Sequence, residues 1–225
     1  MRCETNITWK VEIKMGRLVC DYCVVGAVQT NCYFFSDEET KECVIVDPGD
    51  DAQKLLKLIK ERGLKPMAIL LTHGHFDHIM AVGEVKAAFD IPVYAAEEER
   101  EVLANTGINL SVQMSSPVSL EADCWLKDGD TIEMLGQEVV CLLTPGHTKG
   151  GMCYYFKKAG VLFSGDTLFQ ESVGRTDFPT GSMSTLIRSI REKLFVLPSA
   201  VKVYPGHGLV TSIENEKMFN PFASI

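Results

Sequence analysis

Apolar residues in the first third of the chain fall in short runs rich in Val, Ile, Tyr, Phe and Cys, separated by turn residues, which is the pattern of β-strands. These runs lie at residues 17–25, 30–35 and 42–46, and the third ends at Asp47-Pro48-Gly49. The period then changes. Over residues 51–62, Leu55, Leu56 and Ile59 share one helical face, and Gly63 follows as a C-cap. The continuous apolar run at 67–71 has the character of a buried strand. Ile79, Val82, Val85, Ala88 and Phe89 suit an amphipathic helix over 79–89. A strand at 91–95 and a short acidic helix at 97–104 come next. Residues 105–120 have no clear period and predict a loop or lid over a site.

The second half repeats the scheme. Strands are expected near 131–135, 138–143, 153–156, 161–164 and 201–204. A helix over 184–195 carries Leu186, Ile187, Ile190 and Leu194 on one face, and Thr211-x-x-Glu214 has the form of a capping box opening a final helix. No linker or charge run interrupts the 225 residues, which read as one domain, 1–225, with two β-rich halves.

Composition narrows the function classes. Hydrophobic residues make up 46% and charged residues 23%, as in soluble globular proteins. The balance of 22 basic against 30 acidic side chains gives −8, which argues against a nucleic-acid or anionic-membrane partner. No apolar run reaches the roughly 18 to 20 residues that span a bilayer. The start, Met1 to Asn6, has no apolar core of a secretory signal, so a cytoplasmic location is expected. The eight cysteines, Cys3, Cys20, Cys23, Cys32, Cys43, Cys124, Cys141 and Cys153, read as inert thiols, several of them in apolar runs. Cys20 and Cys23 form a lone C-x-x-C with no second pair at zinc spacing.

The five histidines carry more information. His73, His75 and His78 fall within six residues, and His147 and His207 complete the set. Four segments share one design: a buried strand, a turn, then a residue of metal-ligating type. They end in Thr72-His73, Thr144-Pro145-Gly146-His147, Ser164-Gly165-Asp166 and Tyr204-Pro205-Gly206-His207. Ligands at the carboxyl ends of several strands are a common way to assemble a site from distant parts of a chain. Gly146, Gly165 and Gly206 fit sharp turns or a closely approaching neighbour. In an extended stretch, residues 73, 75 and 77 project to one side, and a helix beginning near His78 would turn that side chain toward a second position. Together with Asp77 and Asp166 the histidines point to a metal site that keeps a place for water.

The H-x-H-x-D-H segment from His73 to His78, Thr144-Pro145-Gly146-His147, Ser164-Gly165-Asp166-Thr167 and Pro205-Gly206-His207-Gly208 resemble, in this order, the metallo-β-lactamase superfamily. Asp47-Pro48-Gly49 resembles that superfamily's first motif. The resemblance runs from about Arg17 to Phe222 and implies an α/β (strictly α+β) fold, a four-layer αβ/βα sandwich with the metals at one edge of the sheets. It implies two divalent ions, zinc foremost, with iron or manganese as alternatives. By matching positions, His73, His75 and His147 would hold the first metal. Asp77, His78 and His207 would hold the second, and Asp166 would bridge them. Asp47 is expected to brace the ligand loops by hydrogen bonds.

Within the superfamily, secreted β-lactamases carry a signal peptide and often a Cys where this chain has Asp166. Flavodiiron proteins have Glu at the place of His75, and the nucleases add a nucleic-acid domain. The stretch Gly174-Arg175-Thr176-Asp177-Phe178-Pro179, with Asn220-Pro221-Phe222, is similar to short bacterial glyoxalase II-like hydrolases, which lack the C-terminal helical domain that grips glutathione. The resemblance implies hydrolysis of hydroxyacylglutathione-like thioesters, with a small-molecule thioester as partner. A metal-bound hydroxide would be the nucleophile and Asp77 and Asp166 the catalytic carboxylates. Arg175 would bind a substrate carboxylate, or else pair with Asp177; Tyr154 and Tyr155 read as strand residues. Two alternatives stay open: a persulfide dioxygenase holding one iron, and a non-catalytic metal-binding module. Oligomeric state is not encoded in any of these motifs.

Overall fold

The computed structural model describes residues 10–223, with side chains from residue 16 onward; Cys3 lies outside these residues. Seven strands form the first sheet: β1 (Lys10–Met15), β2 (Leu18–Val25), β3 (Thr30–Asp37), β4 (Glu42–Val46), β5 (Lys65–Leu70), β6 (Val93–Ala96) and β7 (Cys124–Leu126), in that spatial order. The strands from β1 to β4 pair antiparallel, whereas those from β4 to β7 pair parallel. The second sheet begins with β8 (Thr131–Met134), β9 (Gln137–Leu143), β10 (Met152–Phe156) and β11 (Val161–Gly165). A small hairpin of β12 (Leu168–Phe169) and β13 (Ser172–Val173) interrupts it before β14 (Lys202–Pro205) and β15 (Thr211–Ser212). Its spatial order is β15-β14-β11-β10-β9-β8, with only β11 and β14 parallel.

Three apolar layers hold the sheets and helices together. Tyr33, Phe35, Val44 and Leu70 of the first sheet meet Tyr154, Phe156, Phe163 and Tyr204 of the second. Rings interlock there, with Phe35 edge-on to Phe156 at 4.8 Å and Tyr33 edge-on to Tyr204 at 5.6 Å. The outer face of the first sheet packs on α1 (Ala52–Arg62), through Leu55 and Ile59, and beyond two short helices whose bounds matter for the site. These are α2 (Phe76–Ile79) and α3 (Val82–Phe89); α4 (Arg100–Ala104) follows. The outer face of the second sheet packs on α5 (Met183–Ser189) and a π-helical continuation, Ile190–Leu194, while α6 (Ile213–Phe219) closes the chain. The layers run helix, sheet, sheet, helix, as the resemblance implies.

Several local expectations are corrected. The helix expected over 79–89 is two helices, because Ala81 N turns to Pro48 O at 3.0 Å and Met80 N shares its bond to Phe76 O with Gly49 O, each at 3.1 Å. The expected strand at 91–95 starts at Val93, after Pro92. The acidic helix splits into a 3₁₀ turn, Glu97–Glu99, and α4. The final helix is capped one residue later than the motif suggested: Ser212 Oγ accepts from Asn215 N at 3.2 Å, while Thr211 donates to the buried Glu216 carboxylate at 2.5 Å. Residues 105–120 are a loop with one 3₁₀ turn, pinned by Asn109, whose carbonyl accepts from Phe76 N at 2.8 Å. The described cysteines are all free thiols. Cys20 and Cys23 face opposite sides of the sheet, one in the inner and one in the outer apolar layer. No helix among the described residues is long and apolar enough to cross a membrane.

Candidate metal centre

The sheets end together at one edge, and the turns there deliver the seven residues singled out in the sequence. His73 follows β5 after Leu71 and Thr72. His75 is the extended residue before α2, at φ −66° and ψ 150°. The helix begins at Phe76, earlier than expected, so Asp77 does not project beside His73 and His75. It lies in the first turn with His78, and both point toward the His207 side. His147 stands on the turn after β9, Asp166 after β11 and His207 after β14.

Ligand atoms converge in three overlapping groups: His73, His75 and His147; His73, His78 and Asp166; and Asp77, His78 and His207. His147 Nε2 is 2.9 Å from His75 Nδ1 and 3.2 Å from His73 Nε2. Across the cluster, His207 Nε2 is 3.1 Å from Asp77 Oδ2. Asp166 stands between the groups, with Oδ1 3.5 Å from His78 Nε2 and Oδ2 3.5 Å from His147 Nε2 and 3.6 Å from His207 Nε2.

Surrounding groups aim these atoms. His147 Nδ1 donates to Arg175 O at 2.7 Å and His78 Nδ1 to Asp47 Oδ2 at 2.9 Å, which turns each Nε2 inward. Asp47 also accepts from Thr72 N and Thr72 Oγ1, at 2.8 and 2.6 Å, so the brace expected of it is present. Thr30 Oγ1 donates to Asp77 Oδ2 at 2.9 Å. Asn31 Nδ2 donates to Pro205 O and Gly208 O, at 3.0 and 3.1 Å, and ties down the His207 turn. Two glycines are indispensable to this geometry. A Cβ at Gly206 would collide with Asp166 Oδ1, and one at Gly146, whose φ is 141°, with the backbone of Leu186.

Charge is unevenly distributed. Burial holds His73 far below the ordinary histidine range and pushes His75 down to about 3, so both are neutral imidazoles. Burial works the same way on His78, but Asp77, Asp166 and Asp47 outweigh it and hold it well above the usual value. Asp166, despite its burial, is held well below the carboxylate range, chiefly by His78.

The residues fit divalent cations. Among the described residues, the buried side-chain polar atoms without a hydrogen-bond partner include three, His75 Nε2, His78 Nε2 and Asp166 Oδ1, that sit together in the cluster. Imidazole and carboxylate donors suit zinc, and equally iron or manganese.

Three functional groups escaped the sequence reading. Glu99 is 1% exposed and binds both loops of the first histidine group: its carboxylate accepts from Gly74 N at 2.9 Å and from Thr148 Oγ1 at 3.0 Å. Thr30 and Phe178 are the others. Nothing in Glu97-Glu98-Glu99 tells which of three acids turns inward, and Thr30 reads only as the first residue of a strand. Arg175 is placed at the cavity beside the cluster, yet its guanidinium already pairs with Asp177 through Nε at 2.7 Å and Nη2 at 2.6 Å. Tyr154 and Tyr155 are strand residues of β10; Tyr154 Oη donates to Leu71 O at 2.8 Å, across the two sheets.

Compared with known proteins, residues 25–207 match the family described as the metallo-beta-lactamase superfamily. A Bacillus subtilis (strain 168) protein named probable metallo-hydrolase YqgX is 43% identical over 200 residues, covering 88% of this chain and 94% of its own. Hydroxyacylglutathione hydrolase GloC of Haemophilus influenzae is 37% identical over 202 residues, with the same coverages of 88% and 94%. The crystal structure of BLEG-1 B3 metallo-beta-lactamase superposes with a TM-score of 0.87 at 41% identity, covering 92% of this chain and 100% of that one.

Proposed function

The chain belongs to the metallo-β-lactamase superfamily of metallo-hydrolases, and we propose that it hydrolyses thioesters of small molecules at two zinc ions. One observation carries the reading: seven nitrogen- and oxygen-bearing side chains, Asp166 among them, converge beside an open cavity, more than a closed structural site uses. His73, His75 and His147 would hold one ion, Asp77, His78 and His207 the other, with Asp166 shared. When bound, such a pair of ions supplies Lewis acidity and lowers the pKa of water toward roughly 7.

The chain's own groups do the rest. Asp166 fixes the separation of the two ligand sets through its two oxygens. Asp77, oriented by Thr30 and adjoining the cavity, takes the proton released as water attacks the carbonyl. The departing thiolate is a stable anion and needs no donor, in keeping with a cavity whose only hydroxyl is Ser172. The hydroxyacylglutathione hydrolase relative supports the thioester class. A cytoplasmic location goes with this reading, and neither nucleic acid nor membrane is a partner in it.

The likeness to a B3 metallo-beta-lactamase favours a second reading, cleavage of a β-lactam amide by the same groups. Purified zinc-loaded protein is to be given S-lactoylglutathione, with thiol release followed, and a chromogenic cephalosporin in parallel. Thiol release at a kcat/KM of at least about 10⁴ M⁻¹s⁻¹, the lower range of ordinary enzymes, is the expected result. Cephalosporin turnover alone would transfer the activity to β-lactams. Oxygen uptake with glutathione persulfide and iron, with no thiol release, would make it a dioxygenase.

A further inference from the structure

The cavity beside the ligand cluster, about 400 Å³, has walls of a chemistry the ligands do not share. Val28, Phe76, Leu110, Phe169, Val173 and Phe178 line it, and beyond the ligands only Ser172 and Arg175 are polar. The volume is that of a small-ligand site. Arg175 carries the guanidinium of the wall, and its Nε–Nη2 edge binds the two oxygens of Asp177 while its flat face lies 3.9 Å from the centre of the Phe178 ring. Phe178 is therefore held in place by Arg175 over its face and by the His75 ring, nearly perpendicular to it at 5.6 Å. An anionic acyl group entering here would meet apolar carbon and a guanidinium that already holds the Asp177 carboxylate. An alkyl or aryl group would meet surface that gains by losing its water.

We propose that this site selects thioesters whose acyl group is an uncharged alkyl or aryl chain, and that Phe178 sets the length accepted. The inference rests on the thioester reading above and deepens it by naming the acyl class. Each methylene buried against the walls adds about fourfold in affinity, from the usual transfer free energy of a methylene. The gain stops when the chain reaches the Phe178 ring.

Two series on the zinc-loaded protein test it. The first is the hydrolysis of acetyl, butyryl, lactoyl, hexanoyl and succinyl thioesters of N-acetylcysteamine, an uncharged carrier. The second is calorimetric binding of the matching ketones, in which a methylene replaces the sulfur and no cleavage is possible. Ketone affinity should rise by about fourfold per methylene and then level off. Succinyl should bind at least tenfold more weakly than its methyl-ended counterpart. In Phe178→Ala the levelling should move to longer chains, and Phe178→Leu, closer in size, should move it less. Binding that is flat along the series or undetectable, or a preference for succinyl, would overturn the inference whether or not turnover occurs. Chain-length-dependent binding with no hydrolysis of any thioester would leave this inference standing and sink the reaction class instead.

Discussion

Around His73, His75 and His147 the protein offers three imidazoles, of which burial keeps His73 and His75 neutral, with the shared Asp166 beside them. Around Asp77, His78 and His207 it offers carboxylates and imidazoles that balance one another, with ion pairs of 3.1 Å to Asp77 and 2.9 Å to Asp47. The first half leaves a bound cation most of its charge, which suits polarising a carbonyl. The second half spreads that charge over carboxylates, which suits holding and orienting water. The supports differ in the same way. Glu99 reaches the first half only through backbone amides and a hydroxyl, whereas Thr30 and Asp47 touch ligands of the second directly.

Asp166→Asn strikes both halves at once. Turnover should fall by about a thousandfold, the several kcal/mol of metal-assisted charge stabilisation, with the circular dichroism spectrum unchanged. A well-folded, active variant would break the two-ion account. Thr30→Val and Glu99→Gln separate the halves. Thr30→Val should weaken one of two bound zinc equivalents by about 10- to 100-fold, measured by competition with a chelator, and leave the other alone. Equal loss of both equivalents would erase the distinction drawn here.

Glu99 also gives the comparison a pH axis. Burial pushes its carboxyl up to about 7, so the folded state keeps a proton that the unfolded chain releases near 4.5. Its contribution is therefore fully present below about pH 4.5 and fades as pH rises toward 7, by about 3 kcal/mol in all. Urea unfolding of metal-stripped protein at pH 5 and 7.5 should show that decline in the parent and a flatter profile in Glu99→Gln. Parallel profiles would mean Glu99 is charged throughout. Arg175→Ala is the mildest change. The pair with Asp177 is exposed, so kcat/KM should move within about threefold and equally for succinyl and butyryl thioesters. A selective loss for succinyl would return Arg175 to the role of carboxylate binder.

The strand-turn-ligand segments were legible because buried strands leave continuous apolar runs, and a polar ligand at the end of such a run stands out. The break after α2 was not. Periodicity over 79–89 is unbroken, and what interrupts the helix is the loop at Pro48 and Gly49, distant in sequence, which captures the Ala81 amide and shares that of Met80. The cap of α6 moved by one residue for a similar reason, since Thr211 is drawn to Glu216 and Ser212 takes its place. The ligand residues could be read from type and spacing. The cavity walls could not, because Leu110 and Phe178 come from stretches with no period, and only the fold brings them beside His75.

Apart from Phe76, the apolar wall residues lie on segments that contribute no ligand: the hairpin turn at Val28, the loop at Leu110, and the chain from Phe169 to Phe178. Those segments carry the walls and join the ligand segments through backbone carbonyls, among them Arg175 O on His147 and Asn109 O on Phe76 N. Such a molecule is a cassette, with reaction chemistry and selectivity inherited separately. Transplanting the 168–178 segment from a relative should carry substrate preference with it, and leave the hydrolytic machinery as it was where the carbonyl at 175 still meets His147.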